Sequence, residues 1–293
     1  MITLRPSVPE DVPAQRELWK LAFGDSDSYI DNFYNTYYRP ERVVVLEEGG
    51  AVRSMTAWFD TAFVVPGQGE YRAAYLYAVA THPHCRGRGL AGELLAGADG
   101  YFRSLGIPAV TTVPAEPSLH DFFGKNGFRE CFVHEQMAGW RENFPGTPPP
   151  PSPSLTLEPL SPAQYGLLRE ELLAGIPHIA YPEDALAYQA GCCTLSGGGM
   201  YRISTGQGDV LVCVERDENK MPLVKELLGP HSAQELFFKE LPALFRTDIW
   251  AVRTPCRGGP LPGHKFGMLK WLDPELEKTW DWDRVGYLGL AFD

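Results

Sequence analysis

The sequence has few cysteines, and their positions do not suit a metal site. Six are scattered over 293 residues, no CxxC pair occurs, and the adjacent Cys192 and Cys193 do not have a metal-ligand spacing. We therefore expect no metal. Reduced thiols are predicted instead, as is usual in cytosolic proteins.

Long apolar runs and a basic excess are also missing. No run approaches the roughly 20 apolar residues that a membrane helix needs, and the N-terminal stretch MITLRPSVPEDVPAQ has no signal-peptide core. The 26 basic residues are outnumbered by 37 acidic ones, giving a net charge of -11. This charge disfavours nonspecific binding to nucleic acid and tolerates cationic small molecules. The protein is therefore predicted to be soluble and cytoplasmic, with neither a membrane nor a nucleic acid as partner.

Two common nucleotide-binding motifs are excluded. No GK[ST] occurs, so there is no Walker A loop. A GxGxxG pattern can be placed only at Gly87–Gly92, where several predicted strands precede it. A dinucleotide-binding fingerprint opens the first βαβ unit instead.

A proline-rich stretch divides the chain nearly in half. FPGTPPPPSPSL, residues 144–155, contains six prolines, which favour an extended spacer over a helix or a central strand. We predict a first domain at 1–143, a linker at 144–155 and a second domain at 156–293. The second half weakly repeats the element order of the first, but it has LLGPHSAQEL where the first half has a glycine-rich turn.

That turn lies in VATHPHCRGRGLAGELL, between a predicted strand and a predicted helix from Leu90 to about Leu105. Gly87 and Gly89 lack a Cβ, so they allow positive φ and the close approach of another group. The first N–H groups of the helix have no acceptor within it and carry a partial positive charge. Together with Arg86 and Arg88, they favour a bound pyrophosphate.

The sequence Arg86-Gly87-Arg88-Gly89-Leu90-Ala91 resembles the Gln/Arg-x-x-Gly-x-Gly/Ala signature of the Gcn5-related N-acetyltransferase (GNAT) superfamily. SLHDFFGKNGF resembles the second signature of that family, and the likeness extends over residues 1 to about 143. It implies an α/β fold of two tandem GNAT-like acyl-CoA N-acyltransferase domains. Each domain would have a mixed, mostly antiparallel sheet flanked by helices, and the second would be degenerate.

By the same resemblance, acetyl-CoA is the co-substrate. The backbone of the turn would hold its pyrophosphate, the strand before the turn would hold the pantetheine, and the start of the second-signature helix would touch the cofactor. The implied cofactor-binding residues are Val79, Ala80, Thr81, Arg86, Gly87, Arg88, Gly89, Leu90, Ala91, Gly92, Ser118, Leu119 and Phe123.

The chain departs from the family at both catalytic positions. Phe123 replaces the usual tyrosine acid, and Tyr75 stands where some members have a glutamate base. Three substitutes are open. Tyr75 or Tyr77 can supply a phenol, although both also suit a core. His120 titrates in the right range, although it also suits an exposed helix surface. Asp293 offers the terminal carboxylate, as in the enhanced-intracellular-survival type of acetyltransferase.

The function predicted from these residues is acetyl-CoA-dependent N-acetylation of a primary amine, on a cationic small molecule or a peptide. The alternative is a non-catalytic acyl-CoA-binding sensor or scaffold, which Phe123 and Tyr75 favour. Aminoacyl transfer from tRNA is a third possibility that the net charge disfavours.

Overall fold

The computed structural model describes residues 2–140, 155–256 and 263–292. It divides into two compact units. The first contains Met1–Phe132 and Phe266–Val285, and the second contains Val133–Lys265 and Gly286–Phe292. The predicted linker, apart from Leu155, lies outside the described residues. The predicted limits 1–143 and 156–293 need correction at the C-terminal end, because residues 266–285 belong to the first unit.

The strands, in chain order, are β1 (Ile2–Pro6), β2 (Val43–Glu48), β3 (Ala51–Val65), β4 (Gly69–Thr81), β5 (Ala109–Thr112), β6 (Arg129–Trp140), β7 (Thr156–Pro159), β8 (His178–Ala180), β9 (Gly199–Thr205), β10 (Gly208–Arg216), β11 (Pro222–Leu228), β12 (Ile249–Thr254) and β13 (His264–Trp271). The helices are α1 (Val12–Phe23), α2 (Asp27–Thr36), α3 (Leu90–Ser104), α4 (Pro117–Lys125), α5 (Pro162–Leu173), α6 (Glu183–Ser196), α7 (His231–Phe245) and α8 (Pro274–Thr279).

The sheet of the first unit has the strand order β1-β2-β3-β4-β5-β13. Its strands pair antiparallel, except that β4 and β5 are parallel. Helices α3 and α4 cover one face, where Leu76 and Val110 join a buried core with Phe123. Helices α1 and α2 cover the other face, where Trp19 and Phe33 pack on Tyr77. In chain order, β4 is the strand that precedes α3, and the glycine-rich turn joins the two.

The position of β13 explains the correction to the domain limits. Met268–Trp271 pair antiparallel with Ala109–Thr112, so a segment near the C-terminus supplies a strand beside β5. The predicted helix from Leu90 to about Leu105 is confirmed as α3. It forms because its apolar residues recur at helical spacing and Gly106, with φ of +68°, follows its end.

The sheet of the second unit has the order β6-β12-β11-β10-β9-β7, again with one parallel pair, β11 and β12. Helix α7 covers one face with a core that includes Phe237. On the other face, the buried Arg169 of α5 donates from Nε to both carboxylate oxygens of Glu226, at 3.1 and 3.0 Å. The sequence alone predicted neither α2 nor α6. Helix α6 buries residues without one clear apolar stripe, whereas α2 buries Ile30 and Phe33 at helical spacing and was simply missed.

Candidate active site

Strand β4 is irregular near its C-terminal end. Met55 pairs with Ala80 and Ala57 with Tyr77, so Thr56 of β3 opposes two residues, Ala78 and Val79. This is a β-bulge. Ala78 has φ of +50°, in the left-handed region that residues with a Cβ seldom adopt. The surrounding contacts must therefore hold this backbone in place.

Two buried hydroxyl groups of β3 bond the main chain around the bulge. Thr56 Oγ1 donates to the carbonyl groups of Ala57 at 2.9 Å and Tyr77 at 3.3 Å. Ser54 Oγ donates to the Ala80 carbonyl at 2.7 Å. Both side chains are fully buried, where hydrogen bonds are not exposed to competing water. The sequence alone did not predict a role for Ser54 or Thr56. The pattern that could have indicated them is a pair of hydroxyl residues, two positions apart, on the strand opposite the AVAT stretch of β4.

The neighbouring strands β4 and β5 separate at this point. Their parallel pairing runs from Ala73–Ala109 to Leu76–Thr112, where β5 ends, whereas β4 continues to Thr81. The predicted pantetheine-binding residues Val79, Ala80 and Thr81 lie beyond the last β4–β5 pair. An extended ligand can lie against such a strand end and use its main-chain groups, as an added strand does.

The glycine-rich turn has the predicted backbone. Gly87 and Gly89 have φ of +76° and +82°, and a Cβ on either would meet nothing within 4 Å. The first backbone hydrogen bond of α3 runs from Glu93 N–H to the Gly89 carbonyl at 3.1 Å. The N–H groups of Leu90, Ala91 and Gly92 therefore have no acceptor within the helix. These N–H groups, next to the open space at Gly87 and Gly89, suit an anion such as a diphosphate.

The two arginines of the turn bond residues of the same unit. Arg88 donates to both carboxylate oxygens of Glu48, at 2.9 and 2.6 Å. This pairing lowers the pKa of Glu48 and raises that of Arg88. Arg86 Nε donates to the Thr81 carbonyl at 3.2 Å. A phosphate that binds Arg88 has to compete with Glu48.

Helix α4 shares a core with α3 through Leu119 and Phe123, and Asn126, directly after α4, lies near the first turn of α3. Ser118 is exposed and donates to Glu116 at 2.5 Å, whereas Leu119 packs on the core. Phe123 is buried, with its ring 5.4 Å from that of Phe128. Asn126 Oδ1 would lie 3.5 Å from a Cβ on Gly92. The roles of Ser118, Leu119 and Phe123 at the cofactor stay predictions.

The candidate acid and base residues have different surroundings. Tyr75 is buried and its ring stacks on that of Phe59. Tyr77 is half-buried, and its hydroxyl lies 3.0 Å from that of Tyr29. His120 Nδ1 lies 2.8 Å from Glu130 Oε1. Asp293 lies outside the described residues.

The corresponding strand–helix junction of the second unit lies between β11 and α7, and two of its main-chain carbonyl groups are bonded by side chains of the same unit. The Leu227 carbonyl accepts a hydrogen bond from Thr254 Oγ1 at 2.9 Å, and the Gly229 carbonyl accepts one from Gln234 Nε2 at 3.0 Å. A Cβ on Gly229 would lie 2.7 Å from the Asp209 carbonyl oxygen, so this junction has no open space of the kind found at Gly89.

The described residues contain no candidate membrane helix, no candidate metal site and no disulfide bond. No helix there is long and apolar enough to cross a membrane. Residues 2–140, 155–256 and 263–292 hold no group of three or more His, Cys, Asp or Glu residues that could bind a metal ion. All six cysteines, each within these ranges, are free thiols.

Comparison with solved structures places the fold. A GCN5-related N-acetyltransferase from Anabaena variabilis matches 93% of this chain and 73% of its own, with a TM-score of 0.68 and 16% identity. Eis1 from Mycobacterium abscessus matches 92% and 74%, with a TM-score of 0.65 and 13% identity. A tandem GNAT protein of the clavulanic acid pathway matches 94% and 99%, with a TM-score of 0.56 and 13% identity. The predicted fold class, two tandem GNAT-like α/β domains, is confirmed.

Comparison with curated protein sequences gives no match. The sequence model of the GNAT acetyltransferase domain, however, matches residues 3–131. This range contains β1 to β5, the bulge in β4, the glycine-rich turn and the second-signature helix. The chain therefore carries, over residues 3–131, an acetyltransferase domain of the GNAT family.

Proposed function

We propose that the protein is an acetyl-CoA-dependent N-acetyltransferase that acts on a primary amine of a cationic small molecule or peptide. One observation carries the proposal. A bulged strand that separates from its neighbour leads directly into a glycine turn, where the first N–H groups of α3 have no helical acceptor. At the same junction in the second unit, two main-chain carbonyl groups are bonded within the unit and a Cβ on Gly229 would meet the Asp209 carbonyl oxygen, which supports catalysis by the first unit.

In this proposal each part of the junction binds one part of the co-substrate. The N–H groups of Gly87 to Gly92 bind the diphosphate, and Arg86 and Arg88 add positive charge. The main chain of Val79, Ala80 and Thr81 binds the pantetheine. Acetyl-CoA supplies an activated acetyl group as its thioester. The net charge of -11 supports a cationic acceptor, because it favours the approach of cations.

The chemistry requires a neutral amine, although alkylamines with a pKa near about 10 are mostly protonated at pH 7. The amine nitrogen forms a bond to the acetyl carbon, and the carbon–sulfur bond breaks with its electron pair leaving on the CoA sulfur. The proton that the amine loses balances this thiolate, so the products are the amide and the CoA thiol. A main-chain N–H at Val79 or Ala80 can donate to the carbonyl oxygen as it gains negative charge. The bulge fixed by Ser54 and Thr56 orients this segment.

Among the three candidates for proton transfer, we assign the role to His120. Its Nδ1 lies 2.8 Å from Glu130 Oε1, and such a carboxylate orients an imidazole. Tyr75 and Asp293 remain alternatives. Phe123, at the tyrosine position of the family, has no proton to donate.

The buried ring of Phe123 also supports the second candidate function, a non-catalytic acyl-CoA sensor. Steady-state assays separate the two functions. The full-length protein is incubated with acetyl-CoA, a thiol-trapping dye and a panel of polyamines, aminoglycosides, lysine peptides and amino acids. Release of CoA thiol that depends on an added amine supports the enzyme. Binding of CoA without turnover of any amine supports the sensor.

A further inference from the structure

Thr111 of β5 has an unusual hydroxyl group. The residue is fully buried, and its Oγ1 has no hydrogen-bond partner among the described residues. Burial of a hydroxyl without a partner is unfavourable, and most buried polar atoms in proteins are bonded. A valine would fill the same volume without this disadvantage, so the hydroxyl calls for a functional explanation.

Nearby hydroxyls of the same sheet do find partners. On β3, Ser54, Thr56 and Thr61 each donate to a main-chain carbonyl; the bond from Thr61 Oγ1 to the Ala73 carbonyl is 2.9 Å long. The sheet therefore readily satisfies buried hydroxyl groups. Thr111 differs from these three residues although it lies only two strands away.

Thr111 is also close to the point where the strands separate. It pairs with Tyr75, one residue before the last β4–β5 pair at Leu76 and Thr112. Side chains of directly opposite residues lie on the same face of a sheet. The Tyr75 ring stacks on Phe59, whose ring also contacts Phe33 of α2, so this is the face covered by α1 and α2. The turn and α3 lie on the other face.

Resting on the proposed function, we propose that the Thr111 hydroxyl accepts a hydrogen bond from the acceptor amine during its attack. A pantetheine that lies along Val79–Thr81 brings its thioester to the separation of β4 and β5. The amine must direct its lone pair at the acetyl carbon, so only its N–H bonds are free for orientation. A neutral primary amine has two: one proton leaves in the reaction, and the other is held by Thr111 Oγ1.

This arrangement makes Thr111 a catalytic residue and a determinant of acceptor class. A secondary amine has a single N–H bond, and the reaction removes that proton. No N–H bond is then left to donate to Thr111 as the product forms. The side chain takes no proton itself, because a neutral hydroxyl is a very weak base. It favours unhindered primary amines over their N-methyl counterparts.

The test compares Thr111→Val and Thr111→Ser with Thr61→Val, a matched loss of a buried hydroxyl in the same sheet. The probe is the amine of the panel that wild-type protein acetylates fastest, together with its N-methyl analogue. Thr111→Val is expected to raise Tm by roughly 2–4 °C, because it removes an unsatisfied group. It should lower kcat/KM for the primary amine about tenfold, reduce the preference over the N-methyl analogue, and leave CoA affinity unchanged.

Thr111→Ser should keep turnover, because it keeps the hydroxyl. Thr61→Val should lower Tm and keep turnover, because the hydrogen bond that it breaks is not near the point where β4 and β5 separate. A fully active Thr111→Val overturns the inference and leaves the proposed function standing. If Thr111→Val loses turnover with a lowered Tm and Thr111→Ser is also inactive, the role of Thr111 is in packing. That result also overturns the inference. Wild-type protein that transfers no acetyl group refutes the proposed function itself.

Discussion

The ammonium group of Lys270 lies 2.5 Å from the carboxylate of Asp99, which is 171 residues earlier in the chain. Lys270 also donates to the main-chain carbonyl of Asn126 at 2.7 Å. It thus joins β13 to α3 and to the C-terminal end of α4. Burial raises the pKa of Asp99, and the hydrogen bond from Lys270 opposes that shift. The first unit therefore depends on a residue from near the end of the chain.

Replacement of this lysine should destabilise the protein. Lys270→Met leaves Asp99 buried without a cation, which should lower the free energy of unfolding by about 3 kcal/mol. Lys278→Met is the control. It breaks an exposed pair with Glu275 and should change the free energy of unfolding by no more than about 0.5 kcal/mol. Urea unfolding measures both, and equal stabilities of the two variants would contradict the account.

The sequence predicted those parts of the first unit that depend on near neighbours in the chain. It missed the contacts between residues that are far apart in the chain. Two glycines followed by apolar residues at helical spacing fix the turn and α3, because these features depend on near neighbours. No local signal could place Lys270 beside Asp99, because strand pairing between β13 and β5 depends on residues far apart in the chain. In the same way, the sequence indicates only that Thr111 is a strand residue. The structure is needed to show that its buried hydroxyl has no hydrogen-bond partner among the described residues.

The bulge in β4 should matter more for turnover than for cofactor binding. Thr56→Val removes the hydroxyl that bonds Tyr77 and should lower kcat about tenfold, because the main chain next to the thioester loses its fixed orientation. CoA affinity should stay within a factor of two, since the turn is unchanged. Thr61→Val loses a comparable bond to β4 away from the bulge, so it should lower stability by about 1 kcal/mol without lowering kcat. A similar fall in kcat in both variants would refute a special role of the bulge.

Glu48 should weaken the binding of CoA. Glu48→Gln frees Arg88 from its carboxylate partner, so CoA affinity measured by calorimetry should rise about two- to fivefold, the size of an exposed ion pair. Glu47→Gln makes the same change of charge at a residue that pairs with Arg5. It should have a smaller effect, through long-range charge alone. No gain in Glu48→Gln over Glu47→Gln would mean that Arg88 does not contact the phosphate.

The stability of the first unit should depend on pH through Asp11. Arg5 donates to both of its oxygens, at 2.6 and 3.0 Å, and this lowers its pKa. A carboxylate with a lowered folded-state pKa stabilises the fold above its unfolded pKa of about 3.9, and that stabilisation is lost as pH falls through the folded-state value. Asp11→Asn should therefore cost about 1–2 kcal/mol at pH 7, and the difference from wild type should shrink below about pH 4. Urea unfolding at several pH values measures this, and a constant difference would be inconsistent with it.

The most direct test of the central claim is calorimetry of CoA binding to Gly89→Glu and Gly67→Glu. Both glycines have positive φ, +82° and +79°, and both would place a Cβ in open space, but Gly67 lies in the β3–β4 turn at the other end of β4. The two variants should therefore share the same backbone strain and the same added charge. The account predicts that Gly89→Glu abolishes CoA binding, because the carboxylate fills the place of the diphosphate, and that Gly67→Glu binds like wild type. Equal CoA affinities in the two variants would contradict it.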